Sequence, residues 1–358
     1  MRVLALQRLA SHRLTGTPFS RATDVVAWFG AVQAQEFGVA KWAIAQRTHT
    51  LTDADLDRAF DAGDILRTHV LRPTWHFVAR DDLRWLMTLS GPRVQQANSS
   101  MYRKMGITAA EFRRVHAVCE KALAHGPRTR NELRVDLARA RIEAKDSIRC
   151  ACLLMHAELD RVICSGPRRG NQFTYALFDE RVPAAKAVSR DEALGRLTQR
   201  YFQSRRPATV HDFGWWSGLT IADARRGIEV SGVDVDLAPP LASTRGVLAH
   251  LLPIYDEYPL AYKDRSAALP DKAAARTTTP RGGLTFMNIV VIDGVIAGRW
   301  TRDVSSTPAV VTIHPTRAWS ASERRAVLTE AERYGRFLGA PIRVICRDAS
   351  GPKRPRRD

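Results

Sequence analysis

Long apolar runs are missing from the sequence, and with them any candidate membrane-spanning helix. A spanning helix needs about 20 consecutive apolar residues, and charged residues interrupt every apolar stretch well before that length. The first residues, MRVLALQRLASHRL, contain Arg8 and His12 and no small-residue cleavage site, which argues against a signal peptide. We expect an amphipathic helix over 2–13 and a soluble, cytoplasmic protein.

The sequence also lacks the common motifs of nucleotide binding and of hydrolytic catalysis. It contains no glycine-rich Walker or dinucleotide loop, no Gly-x-Ser-x-Gly and no His-Glu-x-x-His. ATP use, serine-hydrolase chemistry and zinc-peptidase chemistry therefore have no support. The five cysteines show no regular spacing, and Cys150 and Cys152 are too close together for a zinc knuckle. We expect reduced thiols, no metal site, no nucleotide cofactor and no other cofactor.

Acidic residues are too few to balance the basic ones. The chain has 55 Lys and Arg against 37 Asp and Glu, a formal net charge of +18. Such an excess favours a polyanionic partner, because binding releases the counterions condensed on DNA or RNA. An arginine-rich genome would explain part of the excess, but it does not by itself set the sign of the net charge. The charge thus predicts a nucleic-acid partner.

Helix starts and turn signals divide the chain into segments of similar plan, and the middle segment is the clearest. Capping boxes begin helices after Thr108 and Thr129, and a third helix begins near Asp146. A basic, glycine-containing turn over 165–172 precedes a predicted strand over 173–178. Three helices, a basic turn and a strand are typical of a winged helix, with the turn as its wing.

The first and third segments repeat this plan with variations. In the first, we predict a helix from Val25 to about Gln33, a helix after Thr52, a strand pair over 67–79 and a further helix from Asp81. In the third, we predict a helix over 191–203, helices after Thr209 and Thr220, and a strand over 230–237. A generic helical protein with hairpins remains the alternative.

The C-terminal third has a different pattern. Two apolar runs flank Asp293-Gly294, a strong hairpin signal, within 284–300. We also predict strands over 310–313 and 341–346, a helix after Ser320, and a polybasic tail. The predicted fold is α+β, with tandem winged helices at 1–90, 91–185 and 186–245, a C-terminal α/β sheet region at 246–350 and a tail at 351–358.

A pair of glutamines stands out in Ala31-Val-Gln33-Ala-Gln35. On a continuous helix the two side chains would point about 200° apart. They share a face only if the helix stops there, which Gly38 allows. From the residues alone, two amides at a helix end are more often surface groups than functional ones.

Several segments resemble the AlkZ/YcaQ family of winged-helix DNA glycosylases. Ala31–Gln35 matches the family's Gln-aliphatic-Gln motif, and 66–77, LRTHVLRPTWHF, matches its first wing. The stretch 252–265, LPIYDEYPLAYKDR, matches its Tyr-Asp-Glu-Tyr signature, and 292–300, IDGVIAGRW, matches its late hairpin. The matches run from residue 5 to about 345, and the 252–265 signature is the most specific of them.

The resemblance implies a concave DNA-binding surface and hydrolysis of the N-glycosidic bond of N7-alkylated purines, interstrand crosslinks included. It also implies that Gln33 and Gln35 hold the attacking water. The Gln at the second position resembles the branch associated with self-resistance to crosslinking antibiotics, and the small Ala34 leaves lesion size open. We expect a monofunctional enzyme without lyase activity. Glu36, Asp256 and Glu257 are candidates for electrostatic help.

Double-stranded DNA with alkylated purines is the expected partner, bound by a nucleoid-associated monomer. Trp75 and His76 alternate on a probable strand, so one side chain is expected to face DNA and the other the core. The candidate DNA contacts are Arg67, Arg72, Trp75, His76, Arg168, Arg169, Lys263, Arg265, Arg276 and Arg281. Two alternatives remain open: a non-enzymatic winged-helix regulator, and a damage-binding protein that has lost catalysis.

Overall fold

The computed structural model describes residues 2–237, 239, 246–269 and 287–348. Its helices are α1 (Arg2–Ser11), α2 (Ala22–Phe29), α3 (Phe37–Ala45), α4 (Asp53–Ala62), α5 (Arg80–Lys104), α6 (Ala109–Leu123), α7 (Arg130–Arg139), α8 (Ser147–Leu159), α9 (Phe178–Arg181), α10 (Arg190–Arg205), α11 (Val210–Ser217), α12 (Ile221–Ser231), α13 (Glu257–Leu260) and α14 (Ala321–Leu338). Its strands are β1 (Val32–Gln33), β2 (Ile65–Val70), β3 (Arg72–Ala79), β4 (Arg128–Thr129), β5 (Ile163–Ser165), β6 (Thr174–Leu177), β7 (Ala249–Leu252), β8 (Ile289–Ile292), β9 (Val295–Asp303), β10 (Ala309–Pro315) and β11 (Ile342–Cys346). No helix in these ranges is long and apolar enough to cross a membrane.

The first unit, residues 22–79, runs helix, strand, helix, helix, strand, strand. Its three strands form an antiparallel sheet in the order β1-β3-β2. The predicted helix after Thr52 is confirmed as α4, where Thr52 and Asp55 cap each other's backbone N–H groups. The predicted strand pair is confirmed as β2 and β3. This arrangement places β1 beside β3, and the glutamine motif is at that edge.

The predicted helix from Val25 to Gln33 is wrong at its C-terminal end. The helix stops at Phe29 because Gly30 adopts a φ of 76°, and the chain then extends into β1, where Gln33 pairs with His76. Gly38 does not end a helix either, since it lies in the first turn of α3. The motif therefore lies on an extended segment between two helices.

The second unit, residues 109–177, has the same element order as the first. Its strands form a sheet in the order β4-β6-β5. The predicted helix starts are confirmed: Thr108, Thr129 and Asp146 each accept a backbone N–H from the first turn of the helix that follows. The long helix α5 connects this unit to the first.

The third segment contains the three predicted helices, α10 to α12, but the predicted strand over 230–237 is wrong. Helix α12 continues to Ser231 and ends at Gly232, which has a φ of 61°. Beyond it, the Asp234 carboxylate accepts the backbone N–H groups of Asp236 and Leu237. The alternating Val and Asp residues thus form a turn. Its backbone N–H groups bind the Asp234 carboxylate and are not available for pairing with another strand.

The C-terminal sheet contains β7 to β11 in the order β11-β10-β9-β8-β7. The predicted hairpin is confirmed, since Asp293 and Gly294 both have positive φ, as a tight two-residue turn requires. The strands predicted over 310–313 and 341–346 are confirmed as β10 and β11, which are parallel and joined through α14. Strand β7 was not predicted. Helices and sheets are thus mixed in the fold, as expected.

The C-terminal sheet packs against the first unit. Their side chains share one apolar core. In it, the centre of the Tyr334 ring on α14 lies 5.2 Å from that of Trp42 on α3 and 5.1 Å from that of Trp300 on β9. The Trp42 indole also donates to the Leu251 carbonyl of β7 across 2.7 Å. This packing brings the segment after β7, residues 253–265, against the glutamine motif.

Candidate active site

Gln33 and Gln35 both turn their side chains toward β3. Arg72 donates from its guanidinium to the Gln33 side-chain oxygen across 3.1 Å, and the backbone N–H of Trp75 donates to the Gln35 side-chain oxygen across 3.3 Å. The Ala34 N–H donates to the Trp75 carbonyl at 2.7 Å, which extends the pairing with β3 past Gln33. Residues of β3 therefore hold both side-chain oxygens.

The two amides differ in exposure. Gln33 is buried, with 8% of its surface accessible, whereas Gln35 is exposed. An amide oxygen has two lone pairs, and each of the two hydrogen bonds described above uses one of them. Each side-chain oxygen can therefore accept a further hydrogen bond.

The buried carboxylate of Glu257 holds the backbone of Gln33 in place. One oxygen of Glu257 accepts the Gln33 N–H at 3.0 Å. Its other oxygen accepts from Arg205 at 2.6 Å and from the Trp216 indole at 2.8 Å. Arg205 also donates to the Phe29 carbonyl at the end of α2. Because the Arg205 charge neutralises that of Glu257, the pair adds no net charge to the site. Its role is to fix the position of the Gln33 backbone.

Arg205 and Trp216 were missed by the sequence reasoning. Trp216 has mainly apolar neighbours and so resembles an ordinary core residue, whereas Arg205 follows Gln203 and Ser204 at the end of α10 and so resembles a surface charge. Their partner Glu257 was proposed only as a source of electrostatic help. The contacts join residues 41 and 52 positions apart, which no local pattern indicates.

Asp256, the neighbour of Glu257, has a separate structural role. Its two oxygens receive bidentate hydrogen bonds from Arg47 at 3.0 and 2.9 Å, and both side chains are buried. Asp256 also accepts the Tyr258 N–H and so caps α13. These contacts join α3 to the 253–265 segment and leave Asp256 engaged away from the glutamines.

His76 is fully buried, so the prediction that it contacts DNA is wrong. Its Nδ1 donates to the Thr74 carbonyl at 2.8 Å, which leaves Nε2 to accept from Arg72 at 3.4 Å. Burial and the Arg72 charge hold the pKa of His76 well below its usual value. Trp75, on the opposite face of β3, is half-buried, as the alternation of strand side chains requires.

Arg67 holds the backbone on the far side of the motif. It donates to the Ala34 carbonyl at 2.9 Å and to the Gln35 carbonyl at 3.1 Å, and its guanidinium lies 4.4 Å from the centre of the Trp75 ring. Burial lowers the pKa of Arg67 to about 10. Burial likewise lowers the pKa of Arg72. Both predicted DNA contacts thus also position the glutamine segment.

The other candidate DNA contacts are spread over the surface. Arg168 pairs with Asp57 and Asp61 at 3.0 and 2.9 Å, and Arg169 pairs with Glu132 at 2.8 Å. These pairings neutralise part of the positive charge predicted for the second wing.

The remaining candidates fall in two groups. Lys263 is exposed, and Arg265 lies 5.6 Å from the centre of the Trp215 ring. Arg276, Arg281 and the polybasic tail lie outside the residues that the structure describes. None of these positions is tested as a DNA contact by the geometry, so each stays a prediction.

Comparisons with known proteins agree on one family. A family model described as DNA glycosylase AlkZ-like matches residues 26–337. A curated relative from Streptomyces sahachiroi, named interstrand DNA cross-link repair glycosylase, is 25% identical over 356 residues, covering 90% of this chain and 93% of the relative. The solved structure of the Streptomyces sahachiroi DNA glycosylase AlkZ superposes with a TM-score of 0.75 at 22% identity, covering 96% of this chain and 99% of that one.

Proposed function

The chain belongs to the family of AlkZ-like DNA glycosylases, and from that premise we propose that it hydrolyses the N-glycosidic bond of N7-alkylated purines in double-stranded DNA. The observation that carries this proposal is the paired anchoring of Gln33 and Gln35 against β3. Two neutral amide oxygens held by residues of one strand are suited to orient a water molecule. We assign Gln33 and Gln35 as the catalytic residues.

The chemistry needs little more than an oriented water. A purine alkylated at N7 carries a positive charge, so it leaves as a neutral base when the C1′–N9 bond breaks and its electron pair moves to the purine. The water oxygen bonds to C1′ as its proton passes to solvent. An amide oxygen that accepts a hydrogen bond from this water orients it, so that a lone pair of the water oxygen points at C1′. No strong general acid is required.

Two neighbouring residues, one arginine and one glutamate, hold Gln33 in a fixed position. Arg72 fixes the Gln33 side chain, and Glu257 fixes its backbone. Preorganised groups avoid the cost of ordering at the moment of reaction. We expect a monofunctional enzyme that leaves an abasic site, because the proposed reaction uses water and not a lysine as the nucleophile.

We propose that the first two units are winged helices. Both have the order helix, strand, helix, helix, strand, strand and a sheet whose first strand pairs with its third, which supports this assignment. The predicted unit boundaries at 90, 185, 245 and 350 belong to the same proposal. The DNA-binding surface that we propose includes Arg67, Trp75, Arg168, Arg169, Lys263 and Arg265, whereas we assign Arg72, predicted from sequence as a DNA contact, to holding the Gln33 side chain.

Interstrand crosslinks are part of the proposed substrate range. The support is that the Streptomyces relative is named for cross-link repair. An exposed Gln35 beside a buried Gln33 suits a lesion that stays in the duplex, because a crosslinked base does not flip out easily. The proposed role is DNA repair or self-resistance to a crosslinking toxin, performed in the cytoplasm by a monomer bound to the nucleoid.

The decisive experiment measures base release from methylated duplex DNA. The purified protein is incubated with the duplex in buffer that holds no nucleotide and no added metal, and free N7-methylguanine is quantified by chromatography. We expect a single-turnover rate of release that rises with enzyme concentration and reaches a plateau once all of the duplex is bound. Tight DNA binding with no release would instead support a non-enzymatic DNA-binding protein.

A further inference from the structure

A cavity of about 450 Å³ opens beside the glutamine motif, between the first and second units. Two of the residues that line it, Arg67 and Trp75, are the ones that hold Gln35. The other walls come from α4, from the start of α7 and from residues 171–175. The lining residues are Phe60, Arg67, Trp75, Thr129, Arg130, Asn131, Ser165, Asn171, Gln172, Phe173, Thr174 and Tyr175.

The walls of this cavity are rich in aromatic rings. Phe60 and Trp75 come from the first unit, and Phe173 and Tyr175 come from the second. The Arg67 guanidinium lies 4.4 Å from the centre of the Trp75 ring and 5.0 Å from that of Phe173. Phe173 is 39% exposed, an unusual degree for a phenylalanine at the rim of a cavity. Planar aromatic groups stack well on such surfaces.

We propose that this cavity receives the planar aromatic appendage of a bulky adduct at purine N7, while the adducted sugar lies over Gln33 and Gln35. This inference rests on the proposed function. A methyl lesion would leave the cavity empty, whereas cavities of about 300–1,000 Å³ suit drug-sized groups. Arg67 and Trp75 line the cavity and also bind Gln35, so an appendage in the cavity would lie next to Gln35. The cavity should therefore raise the affinity for bulky aromatic N7 lesions above that for N7-methylguanine.

The test compares two lesions on the same duplex. One duplex carries N7-methylguanine and the other carries the N7-guanine adduct of aflatoxin B1 epoxide, whose fused rings are planar. In Phe173→Ala, the enzyme concentration for half-maximal single-turnover release should rise roughly tenfold for the aflatoxin adduct, from the loss of one stacking ring. Release of N7-methylguanine should not change.

A second variant and a control keep the result interpretable. Asn131→Trp fills the cavity from an exposed position on α7 and should select against the bulky lesion in the same way. Ile148→Ala removes a comparably exposed apolar side chain from α8, outside the cavity, and should leave both substrates unaffected. Equal losses for both lesions, or no loss for the aflatoxin adduct, would overturn the cavity assignment. Absence of release of either lesion by the unaltered protein would instead overturn the proposed function.

A separate cluster in the second unit has the geometry of a metal site. His116 Nε2 on α6 lies 3.2 Å from His156 Nδ1 on α8, and the Asp160 carboxylate oxygen lies 3.7 and 3.4 Å from these two nitrogens. Ligand atoms around a tetrahedral zinc ion with bonds of about 2.0–2.2 Å lie roughly 3.3–3.6 Å apart, which is close to these three separations. The three atoms thus form one face of a tetrahedron of the right size.

Neighbouring residues fix the orientation of these ligands. The His156 ring stacks on Phe112 with centroids 3.5 Å apart and planes 13° from parallel. Gln95 donates to the other oxygen of Asp160. Supporting contacts of this kind orient ligands in metal sites. Both histidines are largely buried, with side-chain accessibilities of 16% and 15%, while Asp160 is 38% accessible, so a water can complete the set.

The geometry points to a structural site for a divalent transition metal such as zinc, which would join α6 to the end of α8. It replaces the expectation from sequence that no metal site is present, an expectation that considered cysteine spacing and local motifs. Imidazole and carboxylate ligands suit zinc. The site is remote in sequence from the glutamine motif and takes no part in base release.

The test uses the full chain after dialysis against a chelator. Addition of one equivalent of Zn²⁺ should raise the melting temperature, and Co²⁺ should give the visible absorption of a four-coordinate ion. His116→Ala and His156→Ala should each abolish both responses, whereas His125→Ala, at an exposed histidine just beyond α6, should retain them. Equal responses in all variants, or no response in the unaltered protein, would overturn the assignment.

Discussion

The Glu257 carboxylate accepts a hydrogen bond from the backbone N–H of Gln33 across 3.0 Å, although the two residues are 224 positions apart in the sequence. The contact joins the glutamine motif of the first unit to the segment that follows β7. Arg205 and Trp216 bind the other carboxylate oxygen, so the carboxylate has little freedom to rotate. The position of Gln33 therefore depends on contacts from three separate parts of the chain.

Glu257→Gln should destabilise the protein strongly. The change leaves the Arg205 guanidinium buried without its counter-charge, and breaking one side of a buried ion pair costs about 3–5 kcal/mol. Urea unfolding followed by far-ultraviolet circular dichroism measures this loss. Asp191→Asn is the control, since it breaks an exposed pair with Arg226 and should leave the midpoint nearly unchanged. Equal shifts in the two variants would contradict the assigned role of the buried pair.

Arg72→Ala should slow catalysis without changing the salt dependence of DNA binding. Arg72 holds the Gln33 side chain, and misplacing a reacting group by about 1 Å costs roughly 100-fold in rate. Single-turnover release at saturating enzyme measures the rate. In contrast, Lys263→Ala should lower the slope of log affinity against log salt by about one and leave the rate unchanged. A reduced salt slope with a normal rate in Arg72→Ala would make Arg72 a phosphate contact instead.

DNA binding as a whole should weaken steeply with salt. Each neutralised phosphate releases condensed counterions, so log affinity falls linearly with log salt concentration, by about 0.9 per phosphate. Fluorescence anisotropy with an undamaged duplex between roughly 50 and 200 mM salt provides the slope. A flat response would contradict an electrostatic DNA surface on a chain of net charge +18.

Stability should fall as the pH drops below about 6.5, the value at which an unfolded histidine titrates. Burial, aided by the charges of Arg333 and Arg47, lowers the pKa of His250 to about 3. Between these values the unfolded chain binds a proton that the folded chain does not, which costs up to about 1.4 kcal/mol per pH unit. Burial also lowers the pKa values of His12 and His76.

His250→Leu isolates one of these contributions. Neither ring nitrogen of His250 has a hydrogen-bond partner among the residues described, so an apolar residue can replace it. The free energy of unfolding lost between pH 7 and 5 should shrink by about 2 kcal/mol in this variant. His125→Leu, at an exposed position, should keep the slope of the unaltered protein. An unchanged slope in His250→Leu would contradict the assignment.

Local chemistry made several elements predictable from sequence. The capping boxes at Thr129, Thr209 and Ser320 begin helices where expected, because the side chain and the backbone N–H groups that it caps are three residues apart. The Asp293-Gly294 turn was predictable for the same reason, since both residues tolerate positive φ. In each case the interaction that decides the structure lies within one turn of the chain.

The site itself was predictable only in part. The glutamines were identified by resemblance, but the position of Gln33 on a strand was not predicted. That strand forms only by pairing with β3, where the partner of Gln33 is His76, some 43 residues away in the sequence. The ion pair of Arg205 and Glu257 has no local signature at all. The strand predicted over 230–237 is an error of local pattern. The alternation of Val and Asp is typical of a strand, but the Asp234 carboxylate accepts the nearby backbone N–H groups and forms a turn.

The most direct test of the central claim is single-turnover release of N7-methylguanine by a Gln33→Ala, Gln35→Ala double variant, with DNA affinity measured in parallel by anisotropy. Gln199→Ala, Gln203→Ala, which removes two exposed glutamines from α10, is the matched control. We expect the motif variant to bind the duplex with near-normal affinity and to release base at least 100-fold more slowly, while the control behaves normally. Undiminished release by the motif variant would contradict the assignment of these two amides to catalysis.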